Sequence, residues 1–304
     1  MRSLFWVTFL LLVGASSAHG WGNRGHATVA EAAAYLLADQ YPLFKSQAFQ
    51  LAYYNNVPDL LWKGTEKLRK QESSEHFMDL EVFERAGVRD WDEDRLQFLK
   101  KHKVPQNAGR ALWRILELEQ ELKILVSQFG KAKGESKVKG VQGDWFKVAG
   151  ILGHYVADLS QPLHVTENYD GQMTGQKGIH EFFETTLVNE AYPEILPLVH
   201  AKAREAWSSK AAQLRTQSTR DLIVALMVDS KSHVPSVLKR DRENQRDMAR
   251  SLRAEKDLIV ERLAVGGLYL ALLWERNRLP HLITSGFYEF RAEPSYIKPR
   301  EVKK

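Results

Sequence analysis

Residues 154–164 read His-Tyr-Val-Ala-Asp-Leu-Ser-Gln-Pro-Leu-His and lie at the end of a predicted helix. A spacing of four residues places His154 and Asp158 on one helix face, where both can bind the same ion. Pro162 then turns the chain, so that His164 can approach that region from a different direction. Three potential ligands at an apolar helix end, where Leu or Ala would pack better, favour a metal site over a packing role.

The fold class follows from the rest of the sequence, in which apolar residues recur at helical spacing and alternating strand patterns are rare. We predict an all-α fold with one domain at residues 21–285 and a tail at 286–304 to which no regular structure is assigned. The predicted helices cover residues 27–38, 108–129, 144–159, 180–191, 194–213, 220–227 and 254–277. The charged stretch 239–253 is expected to form an exposed helix or a connector. The glycine-containing stretches 131–143 and 165–178 predict loops.

The first twenty residues have the parts of a secretory signal peptide. A basic Arg2 precedes an apolar run at residues 4–13, and small residues precede a cleavage site before Trp21. The run is shorter than the ~20 residues that span a bilayer, so a retained membrane anchor is the weaker interpretation. We therefore predict a secreted or periplasmic protein whose mature chain begins at Trp21.

The composition of the chain restricts its possible substrates and sources of stability only loosely. The chain has 43 basic and 38 acidic residues, for a net charge of +5, which suits an anionic substrate without demanding one. Because it has no cysteine, an exported form would depend on packing, on bound metal or on both, rather than on disulfides.

Three further segments combine an imidazole with a carboxylate or an amine. The first is Trp-Gly-Asn-Arg-Gly-His at residues 21–26, where two glycines would let the terminal amine and the imidazole meet one ion. The second joins Asp59 to His-Phe-Met-Asp at residues 76–79, and the third pairs His180 with Glu184 at a spacing of four. Alone, each has a simpler explanation as a signal junction, a helix cap or a solvated turn. Together they favour metal binding, whereas the other histidines are predicted to be surface or packing residues, namely His102, His200, His233 and His281.

In this order, the motifs W-G-x-x-G-H, D, H-F-x-D, H-x3-D-x-x-Q-P-L-H and H-x3-E resemble those of the secreted trinuclear-zinc single-strand nucleases (the S-one/P-one type). That family shares its fold and metal site with bacterial zinc-dependent phospholipase C. The resemblance runs from Trp21 to about Leu187. It implies a helical domain of the phospholipase C and single-strand nuclease type that binds three zinc ions. It also implies an endonuclease that uses a metal-bound hydroxide to give 5′-phosphate products.

The resemblance further implies a set of metal ligands that are all nitrogen or oxygen donors, in three groups. The first ion of a close pair would be bound by Asp59, His76, His154 and Asp158. The second would be bound by the amine and carbonyl of Trp21, by His26 and by a bridging Asp158. The third, more separate ion would be bound by His164, His180 and Glu184. Asp59 and Asp158 would then be the catalytic carboxylates, and a site of this kind needs no thiolate.

The residues that bear on the substrate favour different substrate classes. Phe77 and Asp79 match the nuclease pattern, in which the aromatic ring stacks on a base and the carboxylate reads its edge. Glu184 is the phospholipase-like choice at a position where the nucleases have Asp. The nucleases also carry an Arg three residues after the matching Asp, and this chain has Trp62 there, with Lys63 next to it. Lys63 is a candidate substrate-binding residue, although it lacks the planar fork of Arg.

We therefore expect a secreted zinc-dependent nuclease whose partner is single-stranded nucleic acid or a nucleotide, with no obligate protein partner. A phospholipase C acting on phospholipid head groups is the alternative within the enzyme class. A non-catalytic zinc-binding surface protein is the alternative outside it, because the Arg of the family is missing.

Overall fold

The computed structural model describes residues 21–91, 94–281 and 294–299. Within these ranges the chain is helical, with no strand and one isolated bridge between Met78 and Gly109, so the all-α prediction is confirmed. No helix in this part of the chain has the length and apolar character needed to cross a membrane. The predicted signal peptide and most of the predicted tail lie outside the described residues.

The α-helices are numbered in chain order through the described ranges. They are α1 (Asn23–Leu37), α2 (Pro42–Ser46), α3 (Ala48–Leu60), α4 (Glu66–Glu72), α5 (Leu80–Arg85), α6 (Arg95–His102), α7 (Ala111–Lys131), α8 (Glu135–Ser160), α9 (Ile179–Glu181), α10 (Leu187–Ala191), α11 (Ile195–Leu214), α12 (Thr219–Ser232), α13 (Val234–Asn244) and α14 (Met248–Arg276). A π-helical turn at Phe182–Thr186 joins α9 to α10. Short 3₁₀ turns occur at Trp62–Gly64, Ser73–Glu75 and Pro162–Val165.

Helix α8 is the centre of the structure. It packs against α3, α7 and α14, while α1 packs against α3, α11 and α14 around it. The C-terminal half of α8, from Val148 to Ser160, is buried on every side. A helix that buries its whole circumference is surrounded by other helices. Polar side chains in this half therefore lie in the core of the protein, where each needs a partner.

The prediction of a loop at residues 131–143 was wrong, because α8 already begins at Glu135. The chain leaves helical geometry only briefly, and Gly134 has a positive φ of 85° at the break. Glycines inside a helix cost about 1 kcal/mol each relative to Ala, which is the basis of the loop prediction. Here Val138 and Val141 pack against the core, and this tertiary contact outweighs the weak helix propensity.

The other differences concern short elements. Helices α2 to α6 were not predicted, since they are brief or interrupted, as α3 is by Pro58. The charged stretch 239–253 contains the end of α13 and the start of α14, separated at Gln245 and Arg246, which both have positive φ. In the predicted loop at 165–178, the first residue ends a 3₁₀ turn. The rest of this stretch has turns and no α-helix.

The packing of α8 against α3 depends on Gly150. A Cβ atom at this position would overlap Tyr54 Cβ and lie 2.9 Å from the carbonyl oxygen of Leu51, so the backbone would have to move. We expect Gly150→Ala to lower the free energy of unfolding by about 1–3 kcal/mol, measured by urea denaturation. Gly143→Ala in the same helix is the control, because nothing lies within 4 Å of its Cβ position. It should raise the free energy of unfolding by about 0.5–1 kcal/mol, and similar effects of both variants would contradict this account.

Candidate metal centre

The predicted side-chain ligands come from separate segments and converge around the buried half of α8. In each of three groups, one nitrogen or oxygen atom of every member lies within 4.8 Å of the others. The first two groups, which share His154 and are called the paired groups, are Asp59 with His76 and His154, and His26 with His154 and Asp158; the third is His164 with His180 and Glu184. These groups contain every side chain that the sequence nominated as a ligand. The chain can therefore hold metal ions at up to three places in its core.

The first group surrounds one oxygen of Asp158. The Oδ2 atom of Asp158 lies 3.0 Å from His76 Nδ1 and 3.4 Å from His154 Nε2, and these two ring nitrogens are 2.9 Å apart. Asp59 Oδ1 completes the group at 3.8 Å from His76 Nδ1 and 3.7 Å from His154 Nε2. Electron-rich atoms that share so small a volume are stabilised by a cation between them.

The other oxygen of Asp158 faces a different residue. Its Oδ1 atom lies 3.4 Å from His26 Nε2, and the ring of His26 stacks on that of His154 with centroids 4.0 Å apart. The two oxygens of one carboxylate thus point toward two different sets of nitrogen donors. This is the arrangement that a bridging carboxylate requires.

Trp21 is buried next to this region. Its indole Nε1 donates to Ser160 Oγ at 3.1 Å, and the following backbone N–H, of Gly22, donates to the Glu184 carbonyl at 3.3 Å. Gly25 has to be glycine, because a Cβ there would lie 2.8 Å from Trp21 Cβ. The chain is therefore fixed beside the metal groups at the predicted new terminus, while the amine of Trp21 as a ligand stays a prediction.

The third group shares no ligand with the other two. His180 Nε2 lies 2.9 Å from Glu184 Oε2, and His164 Nε2 lies 3.5 Å from the same oxygen. The two ring nitrogens are 3.1 Å apart. Glu184 lies on the π-helical turn, a feature often found at functional sites, and also accepts a hydrogen bond from Gln161 Nε2 at 3.0 Å.

Hydrogen bonds on the far side of four imidazole rings orient their lone pairs toward the groups. In each case Nδ1 donates to a fixed oxygen, which leaves Nε2 unprotonated and directed at the neighbouring ligands. The acceptors are Asn55 Oδ1 for His26 (3.0 Å), the Asn55 carbonyl for His154 (2.7 Å), the His76 carbonyl for His164 (2.7 Å) and the Tyr169 carbonyl for His180 (3.0 Å). Sequence reasoning missed Asn55, whose only signal is its position one helical turn before Asp59.

Among the buried atoms of the groups that lack hydrogen-bond partners in the described part of the chain are His26 Nε2 and Asp158 Oδ1, which face each other. Leaving a buried polar atom unsatisfied costs about 1–3 kcal/mol. A cation between the two atoms would satisfy both, so the residues present fit a bound metal.

Burial sets the protonation of the imidazoles. Desolvation lowers the pKa values of His26, His76 and His154 well below the ordinary value for histidine. These rings are therefore neutral at pH 7, which is the form that binds metals.

The pKa values of the two carboxylates in the paired groups shift in opposite directions. Burial, and then the charge of Asp59, raises the pKa of Asp158 well above its ordinary value. Burial also favours a higher pKa for Asp59, but the Lys63 ammonium and the neighbouring imidazoles lower its pKa well below the ordinary value. Two buried carboxylates this close cannot both ionise freely without added positive charge, which a metal ion supplies.

The 3₁₀ turn at Trp62–Gly64 decides which side chain reaches the site. The Nζ atom of Lys63 lies 2.6 Å from Asp59 Oδ1, and the Lys63 side chain is buried. The Trp62 ring packs edge-on against Tyr296 at a centroid distance of 5.0 Å. The cation next to Asp59 therefore comes from position 63, while Trp62 contributes to packing, and the substrate-binding role of Lys63 stays a prediction.

Phe77 and Asp79 lie on the segment that leads from the first metal group to an open groove. The backbone N–H of Met78 donates to the His164 carbonyl at 2.9 Å, and that of Asp79 donates to the Ala108 carbonyl at 2.8 Å. The groove has a volume of about 340 Å³ and is lined by Lys70, Ser73, Ser74, Phe77, Gln106, Asn107 and Arg110. Its volume is within the range of small-molecule sites. Sequence reasoning missed every lining residue except Phe77.

The four histidines predicted to lie outside the site belong to none of the metal groups. Three of them have ring contacts with aromatic side chains, namely His102 with Phe98, His200 with Tyr35 and His281 with Phe129. The fourth, His233, lies 4.0 Å from a carboxylate oxygen of Glu261 at the surface.

Comparisons of the chain with protein-family models, with curated proteins and with solved structures gave no match.

The position of Asp158 between two donor sets predicts an asymmetry in metal loss. We expect Asp158→Asn to weaken metal binding in both paired groups, and Glu184→Gln to weaken it only in the third group. Loss of a direct ligand should weaken metal affinity by more than the about 10–100-fold that is lost when a hydrogen-bond partner behind a ligand is removed. Metal content after dialysis against a graded series of chelator concentrations measures this. Asp144→Asn is the control, since Asp144 lies on the same helix with a half-exposed side chain paired to Lys147, and equal losses from Asp158→Asn and Glu184→Gln would contradict a bridging role.

Proposed function

We propose that this chain is a secreted zinc-dependent phosphodiesterase, and specifically an endonuclease that hydrolyses single-stranded DNA or RNA to 5′-phosphate products. The observation that carries the proposal is the position of Asp158, with one oxygen toward His76 and His154 and the other toward His26. A third donor group with Glu184 lies farther along the chain. Paired and third metal positions of this kind suit displacement at phosphorus.

The donor chemistry favours zinc as the metal. Neutral imidazoles and carboxylates, without thiolates, are ordinary zinc ligands, and calcium or magnesium would prefer oxygen donors alone. Three groups correspond to three ions in the proposal. Removal of residues 1–20 would free the amine of Trp21 as a further nitrogen donor beside His26.

Zinc bound in these groups would supply Lewis acidity, which polarises phosphoryl oxygens and makes water nucleophilic near neutral pH. The protein orients the reactants around it. Asp59 stays ionised because Lys63 lies 2.6 Å from its Oδ1 atom, so Asp59 can accept a hydrogen bond from a water and hold that water in position. The Lys63 ammonium also brings a buried positive charge toward the phosphate oxygens.

The groove at Phe77 supports nucleic acid as the substrate. The Phe77 ring can stack on a base, which any base allows, and it directly follows the ligand residue His76 in the chain. Lys70 and Arg110 bring positive charge to the groove for phosphate, and the side-chain amides of Gln106 and Asn107 can hydrogen-bond a base edge.

A phospholipase C is the second candidate, favoured by exposed apolar side chains close to the ligands. Leu60 directly follows Asp59 and is 50% exposed, while Tyr169, whose carbonyl accepts from His180, is 42% exposed and Met173 is 64% exposed. Exposed apolar side chains at the edge of a site can contact lipid.

A parallel assay of the mature, zinc-loaded protein separates these candidates. We expect hydrolysis of single-stranded DNA or RNA, loss of activity to a chelator, and little hydrolysis of phosphatidylcholine vesicles. The reverse preference would establish the phospholipase. Bound zinc without turnover on any of these substrates would favour a non-catalytic zinc protein.

Phe77→Ala tests the base-stacking role. Loss of the stack should raise KM for an oligonucleotide by the equivalent of ~1–3 kcal/mol per base, with little effect on a small phosphodiester that lacks a base. Phe49→Ala is the control, because Phe49 is 79% exposed and does not line the groove. If KM rises equally for both substrates, Phe77 is a packing residue.

The protonation of Asp79 predicts a base preference that changes with pH. Burial, and then the charges of Glu81 and Glu167, raises the pKa of Asp79 to about 7, and its Oδ1 atom is buried without a hydrogen-bond partner in the described chain. Above that pKa the carboxylate accepts two hydrogen bonds, which matches the adjacent N–H donors of guanine. Below it the acid donates one bond and accepts one, which matches cytosine or adenine.

We therefore expect the ratio of kcat/KM for guanine over cytosine substrates to fall as the pH decreases through about 7. Steady-state kinetics on two oligonucleotides that differ only in this base, at about one pH unit above and below the pKa of Asp79, measures this ratio. In Asp79→Asn the ratio should become independent of pH, because an amide does not titrate. Parallel pH profiles for both bases in the wild-type protein would contradict a base-reading role for Asp79.

A further inference from the structure

His76 differs from the other four imidazoles of the metal groups. It presents Nδ1 to the first group, at 2.9 Å from His154 Nε2 and 3.0 Å from Asp158 Oδ2. The other four present Nε2 and donate from Nδ1 to fixed oxygens. If His76 Nδ1 is to bind an ion with its lone pair, the ring proton has to lie on Nε2.

The Nε2 atom of His76 points away from the metal groups into a buried region. It has no hydrogen-bond partner among the described residues, and Glu72 Oε2 lies 3.5 Å away. Glu72 is the last residue of α4, one helical turn before His76, and its side chain is fully buried. A small approach of the two atoms would convert this contact into a charge-assisted hydrogen bond.

The Glu72 carboxylate is itself held in place by buried groups. The Tyr155 hydroxyl donates to Glu72 Oε2 at 2.7 Å, and Arg114 Nη2 lies 3.7 Å from Glu72 Oε1. Arg114 is also buried and donates to the carbonyl of Ile297 at 2.5 Å, so the segment at residues 294–299 closes this network. Burial, and then the charge of Glu72, raises the pKa of the nearby Tyr296 hydroxyl above its ordinary value.

Stability alone does not explain this cluster. Replacing a buried ion pair with apolar side chains of similar volume is often neutral or stabilising, because burial of the charges is costly. Three buried polar side chains that meet behind one metal ligand therefore point to a role in orienting that ligand.

We propose that Glu72 is a positioning residue for the metal centre. Its carboxylate accepts the Nε2–H of His76, which selects the tautomer whose Nδ1 lone pair faces Asp158 and His154. Its negative charge also makes His76 a more basic ligand. This inference rests on the metal-binding part of the proposed function and is independent of the substrate.

Two substitutions separate the effect of the hydrogen bond from the effect of the charge. Glu72→Gln keeps an oxygen acceptor for Nε2–H but removes the charge, whereas Glu72→Met keeps the volume and removes both. Glu119→Gln is the matched control, because Glu119 is also buried and accepts from Thr219 Oγ1 at 2.6 Å in a network that contains no metal group.

Zinc affinity of the purified full-length mature protein is measured by competition with a chelating dye. We expect Glu72→Met to weaken zinc binding at the first group by about 10–100-fold, and Glu72→Gln to weaken it less. Zinc at the third group, and zinc binding by Glu119→Gln, should match the wild-type protein. An affinity in Glu72→Met within about twofold of wild type, or a uniform loss from all groups, would overturn the proposal.

A second measurement reports the tautomer directly. Long-range ¹H–¹⁵N spectra of histidine-labelled, metal-free protein should show His76 protonated at Nε2 in the wild type and in Glu72→Gln, with Nδ1–H appearing in Glu72→Met. An unchanged tautomer in Glu72→Met would overturn the proposal even if the affinity falls. Zinc binding without nucleic-acid hydrolysis would remove the proposed function and leave this inference intact, whereas a wild-type protein that binds no zinc would overturn both.

Discussion

The carboxylate of Asp158 is the group on which the rest of the site depends. It is fully buried in the middle of a helical core, and each of its oxygens faces a different set of imidazole nitrogens. Burying a charged carboxylate and several unpaired acceptor nitrogens in a medium of low polarity costs free energy, unless a positively charged partner lies between them. The neighbouring side chains are arranged accordingly, because their donor atoms lie close enough together for one cation to contact several of them.

The helices around α8 fix the positions of the ligands. They do so through hydrogen bonds to backbone carbonyls as well as to side chains. Asn55 accepts from both His26 and His154, so α3 aligns ligands from α1 and α8 at once. The carbonyl of His76 accepts from His164, which connects the first metal group to the third. Movement of one helix would therefore disturb more than one group.

The metal groups and the substrate contacts are different parts of the molecule. In the proposed function, the three donor groups would act on the phosphorus centre that every phosphodiester presents. Selection between nucleic acid and lipid would then depend on the groove beside Phe77 and on the exposed apolar side chains at Leu60, Tyr169 and Met173. Glu72 and Arg114 lie behind the ligands and would act on the metal rather than on the choice of substrate.

The sequence by itself determined what depends on local spacing. Helical periodicity predicted the all-α class, and separations of four residues paired His154 with Asp158 and His180 with Glu184, because one helical turn brings such residues together. Only the tertiary structure decided contacts between distant segments. It extended α8 through a glycine-containing stretch by packing Val138 and Val141, directed Lys63 rather than Trp62 to Asp59, and brought Asn55 and Glu72 behind the imidazoles. Those positions depend on how helices pack across the core, and no short sequence pattern encodes that packing.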